Sequence, residues 1–88
     1  MQTDLSRGFK KDFSRLSPKD QIQVLDRFEL FLQDRRNRTL RDHALKGKYD
    51  GFRSIDIRGD LRAVYRLVED DAVAYFVAVA SHSKLYKK

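Results

Sequence analysis

Three segments in the second half of the chain, Phe52 to Ile57, Leu61 to Val68 and Ala72 to His82, are rich in Val, Ile, Phe and Tyr, and only three residues separate each from the next. The links are Arg58-Gly59-Asp60 and Glu69-Asp70-Asp71. A parallel crossover needs about a dozen residues or more, so links this short force neighbouring strands to run antiparallel, as a meander. Side-chain parity then sorts the faces. In Leu61–Val68, Leu61, Ala63, Tyr65 and Leu67 share one face, which is core, while Arg62, Val64 and Arg66 share the other, cationic with a valine between. In the last segment Val73, Tyr75, Val77 and Val79 alternate with Ala74, Phe76, Ala78 and Ala80, so both faces are apolar. This pattern predicts a central strand whose small alanine face receives a helix.

The first half has a different period. Phe9, Phe13 and Leu16 recur at helical spacing with Lys10, Lys11 and Arg15 pointing away, which predicts a short amphipathic helix. Ser17-Pro18-Lys19-Asp20 supplies a stop and a restart, with Ser17 as N-cap, Pro18 at the first helical position and Asp20 completing a capping box. The apolar positions of the second helix, Ile22, Leu25, Phe28 and Leu32, are widened by Val24 and Phe31, so it is expected to pack on both the first helix and a sheet. Arg35-Arg36-Asn37-Arg38 reads as its end, with cations at the negative pole of the dipole and Asn as a left-handed cap. Two helices followed by strands make an α+β chain, with the helices on one face of a small, mainly antiparallel twisted sheet. Residues 1–88 read as one domain, without repeats, low-complexity stretches or linkers.

Composition narrows the chemistry. With no Cys there is no disulfide framework and no thiolate nucleophile or zinc ligand. His43 and His82 are the only histidines, too far apart in sequence for a metal-binding pair, so neither a metal nor another cofactor is expected. No Ser lies in a Gly-flanked elbow and no Gly-rich phosphate loop is present. The opening MQTDLSRGFKKDF lacks the apolar core of a signal peptide, and no apolar run approaches the roughly 18 residues that cross a bilayer. A soluble cytoplasmic protein, without membrane contact, is expected. Nineteen Lys and Arg against thirteen Asp and Glu give a net charge of +6, a balance that favours polyanions.

The tract DHALKGKYDGFRSIDIRGDLRAVYR, Asp42 to Arg66, carries six Lys or Arg from Lys46 onward, interleaved with Tyr49, Phe52 and Tyr65. Cations hold phosphates and aromatic faces stack on unpaired bases, so such mixing suits RNA; a solvated sheet face is the plainer alternative. By pattern alone, His43 and His82 read as surface residues at element ends. Together with ASHSKLY further on, the tract resembles the RelE/ParE superfamily of bacterial toxins, and most of all its YafQ-type mRNA interferases. The residues that carry the resemblance are His43, Leu45, Gly47, Gly51-Phe52-Arg53, Asp60, His82, Leu85 and Tyr86.

The resemblance implies a RelE-like microbial ribonuclease fold and a toxin of a type II toxin–antitoxin system. It further implies a ribosome-dependent endoribonuclease that enters the A site and cuts mRNA without a metal. The RNA supplies its own 2′-hydroxyl nucleophile, so the protein must supply a base, an acid for the leaving 5′-oxygen, and cations around the phosphorane. On this reading His82 is the main catalytic candidate, as general acid. His43 and Asp60 serve the base side or orient the substrate and the His82 ring. Lys46, Lys48, Arg53 and Arg62 are the candidates for phosphate contact, although Arg53 has a second reading as partner of Asp56 or Asp60. Tyr86 either stacks on a base or plugs the core. Some relatives carry a catalytic His where Asp56 stands and an acidic residue where Ser54 stands, so this chain has fewer imidazoles for the reaction. The implied partners are the ribosome with its mRNA and a cognate antitoxin, whose C-terminal segment would wrap the basic face around Arg62 and Arg66. The free toxin is expected to be a monomer and its antitoxin complex a hetero-oligomer. Two other readings share the fold: a ParE-like inhibitor of DNA gyrase, for which His82 is dispensable, and a degenerate toxin that only binds its antitoxin.

Overall fold

The computed structural model describes residues 1–86. Its strands are β1 (Gln2–Leu5), β2 (His43–Ala44), β3 (Arg53–Arg58), β4 (Leu61–Val68) and β5 (Val73–Ser81), and its helices are α1 (Arg7–Ser14), α2 (Pro18–Gln33) and α3 (His82–Leu85). Single 3₁₀ turns cover Arg38–Leu40 and Gly47–Tyr49. The strands form one sheet in the order β1-β5-β4-β3-β2, in which β3, β4 and β5 make the expected antiparallel meander. The fold is α+β, as expected, with a mixed sheet of five strands.

β5 is central because β1 runs parallel to it on its far side, Gln2 opposite Val73 through Leu5 opposite Phe76. No periodicity in the sequence marks β1. Its residues are mostly exposed, and an edge strand that contributes backbone partners needs no apolar alternation. Beyond Leu5 the edge of β5 is taken over by α1. Ser6 caps that helix, its hydroxyl accepting the Phe9 N–H at 3.0 Å, and lies 3.3 Å from the Val77 carbonyl, while an Asp12 carboxylate oxygen accepts the Val79 N–H at 3.1 Å.

The main core lies between the helices and one face of the sheet. Phe76 is its hub, with ring centroids of Phe28, Tyr65, Phe31 and Phe9 at 4.5, 4.9, 5.4 and 5.9 Å. The simple alternation expected along β5 fails at Val77. Val64 pairs with Ala78 but Tyr65 pairs with Phe76, so Val77 is an extra residue, a bulge. Ala74 and Phe76 face the helices before it and Val79 after it, while Ala78 and Ala80 turn to the other side. No all-alanine face therefore receives a helix.

α2 differs in which stripe it buries. Val24, Phe28 and Phe31 face the core, whereas Ile22, Leu25 and Leu32 remain 67%, 59% and 50% exposed. With that one side the helix packs on both the sheet and α1, as expected, Phe28 meeting Phe9 of α1 with ring centroids 5.6 Å apart. Ser17 does cap α2, accepting the Asp20 N–H at 3.1 Å, but the Asp20 carboxylate does not close a capping box. It instead accepts from Nε and Nη2 of the Arg58 guanidinium, at 2.5 and 3.0 Å, and so ties the start of α2 to the end of β3. Asn37 is not a left-handed cap. Its side chain accepts the Thr39 N–H at 2.9 Å and opens the turn Arg38–Leu40, and Arg41 takes the positive φ of 46°. Among the described residues, no helix is long and apolar enough to cross a membrane.

Candidate active site

The sheet face turned away from α1 and α2 carries Ser54 and Asp56 of β3 beside Val64 and Arg62 of β4. Val64 is not isolated there. It joins Ala80 and Leu85 in a second buried cluster, with Leu45, Tyr49, Phe52 and Tyr86 packed around it. The loop from Leu45 to Phe52 folds over this face and is closed by the Leu45 N–H donating to the Phe52 carbonyl at 2.9 Å.

β5 ends at Ser81 because the Ser81 hydroxyl accepts the Lys84 N–H at 3.2 Å and caps α3. His82 is thus the first residue of a helical turn, where the sequence had suggested the last of a strand. Its N–H donates to the Asp60 carbonyl at 2.6 Å, which joins the β3–β4 turn to the start of α3. Its ring is exposed and packs against Tyr86 with centroids 4.6 Å apart, and Tyr86 meets Tyr49 edge-on at 5.6 Å. Asp60 and His82 therefore lie together at one end of the sheet.

His43 stands on β2, opposite Ser54 and on the same face. Its Nδ1 lies 2.8 Å from the Arg41 carbonyl. A carbonyl only accepts, so Nδ1 carries the hydrogen in this contact, and Nε2 is the nitrogen left free for another partner. β3 and β4 separate β2 from β5, so the strands bearing His43 and leading to His82 are about 14 Å apart across the sheet.

The cations divide by face. Arg53 lies on the helix side, where its Nε donates to Asp42 at 2.9 Å. Asp42, only 6% exposed, also accepts the Tyr65 hydroxyl at 2.6 Å, and Arg35 donates to that hydroxyl at 3.2 Å. Burial, followed by the Asp42 carboxylate, pushes the Tyr65 phenol up to about 12. Arg53 is thus the partner of Asp42, rather than of Asp56 or Asp60. Arg62 pairs with Asp56 at 3.0 Å, while Lys46 and Lys48 are exposed, with the Lys48 ammonium 5.7 Å from the Tyr49 ring centre.

Residues 1–87 match the family described as bacterial toxin of type II toxin–antitoxin system, YafQ. The chain belongs to the YafQ family. It is therefore a toxin of a type II toxin–antitoxin system. YafQ from Escherichia coli BL21(DE3) has a similar structure, with a TM-score of 0.80 at 19% identity over 96% of each chain. A copper-bound mutant toxin from Helicobacter pylori is 32% identical over 98% of this chain and 99% of its own, with a TM-score of 0.70. The E. coli DinJ–YafQ toxin–antitoxin complex gives 0.72 at 20% identity over 96% and 94%. No curated protein matches the sequence.

In this YafQ-family toxin the sequence gave no sign of the role of Asp42, and it placed Arg66 on the cationic face without showing what it packs against. Asp42 anchors the segment that delivers His43, and only the long-range pairing with Arg53 and Tyr65 shows it. Arg66 places its guanidinium 5.9 Å from the ring centres of both Phe52 and Tyr75, a cross-strand row that needs the register to be seen. Tyr86 is half-buried, filling the second cluster while its ring supports His82. Among the described residues, no group of three His, Asp or Glu side chains is placed to hold a metal ion.

Proposed function

We propose that this YafQ-family toxin is a ribosome-dependent mRNA endoribonuclease that works without a metal. The observation that carries the reading is the meeting of Asp60 and His82 through a 2.6 Å hydrogen bond, with the His82 ring exposed and backed by Tyr86. The RNA lies along the margin of this face, where His43, Lys46, Lys48 and His82 are exposed. Its 2′-oxygen attacks the adjacent phosphorus, the bond from phosphorus to the 5′-oxygen breaks, and protonated His82 gives its proton to that oxygen. The 2′-hydroxyl proton goes to a base, for which the Nε2 of His43 and the exposed Asp60 carboxylate are the two candidates. Tyr86 holds the His82 ring and offers a face to a neighbouring base. Lys46 and Lys48 meet the phosphates; Arg53, turned to the helix side, supports the fold. The antitoxin covers the same face and meets the exposed Lys46, Lys48 and Arg66.

Growth after inducing wild type, His82→Ala and Asp60→Ala, with primer extension on a reporter mRNA, tests this. Wild type should arrest growth and leave codon-phased cuts, and His82→Ala should lower cleavage by a factor of about 10²–10⁴. Arrest that persists in His82→Ala without cuts would move the target to gyrase or another protein and overturn the ribonuclease reading.

A further inference from the structure

The turn that carries Asp60 is unusually dependent on one side chain. Asp56 pairs with Arg62, but the next registered pair is Arg58 with Leu61, so the ladder is interrupted by a bulge just before the turn. Arg62 fills the gap. Its Nε forms an ion pair with Asp56 Oδ1 at 3.0 Å, and its Nη1 donates to the Gly59 carbonyl at 2.6 Å and to the Leu61 carbonyl at 3.3 Å. Both side chains are largely withdrawn from water, 18% exposed for Arg62 and 19% for Asp56, and the more exposed Arg41 approaches the other Asp56 oxygen at 3.6 Å. A planar guanidinium can satisfy a carboxylate and a carbonyl at once, which an ammonium does less well. The next carbonyl along, that of Asp60, accepts the His82 N–H. Two successive carbonyls of one turn are therefore held, one by Arg62 and the other by His82.

We infer that Arg62, oriented by Asp56, is a positioning residue: it fixes the β3–β4 turn and, through the Asp60 carbonyl, the place of His82 at the end of the sheet. For catalysis this rests on the ribonuclease reading above, but the mechanical link does not. Arg62 then acts on the reaction through the turn and does not contact the scissile phosphate. The position at which some relatives carry an imidazole is used here to hold a cation.

The test uses Asp56→Asn and Arg62→Lys in the full chain, with amide hydrogen exchange read by NMR and single-codon cleavage on programmed ribosomes. The His82 amide should exchange about tenfold faster in both variants while the Ile55 and Phe76 amides keep their protection. Cleavage should show a lower kcat at nearly unchanged KM. Unchanged His82 exchange in both variants overturns the inference, as does a raised KM at constant kcat in Arg62→Lys, the sign of direct RNA contact. If the wild type cuts no RNA, the ribonuclease reading falls while the exchange data still decide the link between Arg62 and His82.

Discussion

Replacing Tyr65 by Phe tests the buried network that anchors the segment leading to His43. The hydroxyl donates to Asp42 at 2.6 Å and accepts from Arg35 at 3.2 Å, and Tyr65 is fully buried. Hydrogen bonds to charged groups contribute about 1.5–3 kcal/mol each, and relaxation recovers part of that, so Tyr65→Phe should cost about 2 kcal/mol at pH 8. Alkali gives a second, sharper signature. The phenol is raised from 10.0 to about 12, chiefly by burial and then by Asp42, so the folded state holds its proton longer than the unfolded one. The resulting stabilisation is complete below pH 10 and disappears as the pH climbs through 12. A shift of about two units corresponds to roughly 3 kcal/mol, of which about half is lost by pH 11. Urea unfolding of both proteins from pH 8 to 11.5 cancels titrations they share. The two stability curves should converge by about 1 kcal/mol between pH 8 and 11. Curves that stay parallel would refute the placement of this phenol beside a buried carboxylate.

Three further outcomes are expected. Glu69, Asp70 and Asp71 have φ of 52°, 56° and 68°, and left-handed backbone is costly for residues with a Cβ, so Asp70→Gly should stabilise the protein by roughly 1 kcal/mol in urea melts. Asp12→Ala removes the acceptor of the Val79 N–H and should cost about 1–3 kcal/mol by thermal unfolding, with Asp12→Asn recovering most of it. The hydrogen-bonded Arg58 guanidinium lowers the Asp20 carboxyl below 3.8, so the stabilisation it contributes is present above that pH and lost as the pH falls further. Acid titration followed by circular dichroism should therefore show wild type losing stability more steeply than Asp20→Asn below about pH 4.

The meander was legible because its links leave the chain no room to cross over, and from it follows the meeting of Asp60 with His82 where β4 begins and β5 ends. The parity of β4 was equally plain, since Tyr65 and Ala63 can only face a core. β1 was not legible: an edge strand is recognised by the backbone it completes, and its own side chains show no period. Nor was the bulge at Val77, because apolar residues on both sides of it hide which way each one turns. Arg53 and Asp42 illustrate the remaining gap. Both sit in a tract that reads as basic and solvated, yet their pairing is set by the helix side of the sheet, which is fixed only when α2 has packed. His43, by contrast, was singled out by resemblance alone, and its tautomer depends on a carbonyl two residues away whose direction comes from the left-handed Arg41.

The pairing of β1 with β5 also bears on how the molecule comes into being. Ser6 reaches Val77 across 71 residues, and Gln2 to Leu5 have no strand beside them until Val73 to Phe76 arrive. A contact of such long range carries its closure entropy before any reward, and contacts of this kind slow folding. On a translating ribosome the sheet stays open on one side, and the turn at Asp60 waits for His82, until β5 and α3 have left the exit tunnel. Until β5 has closed the sheet, the face that leads to His82 stays unassembled.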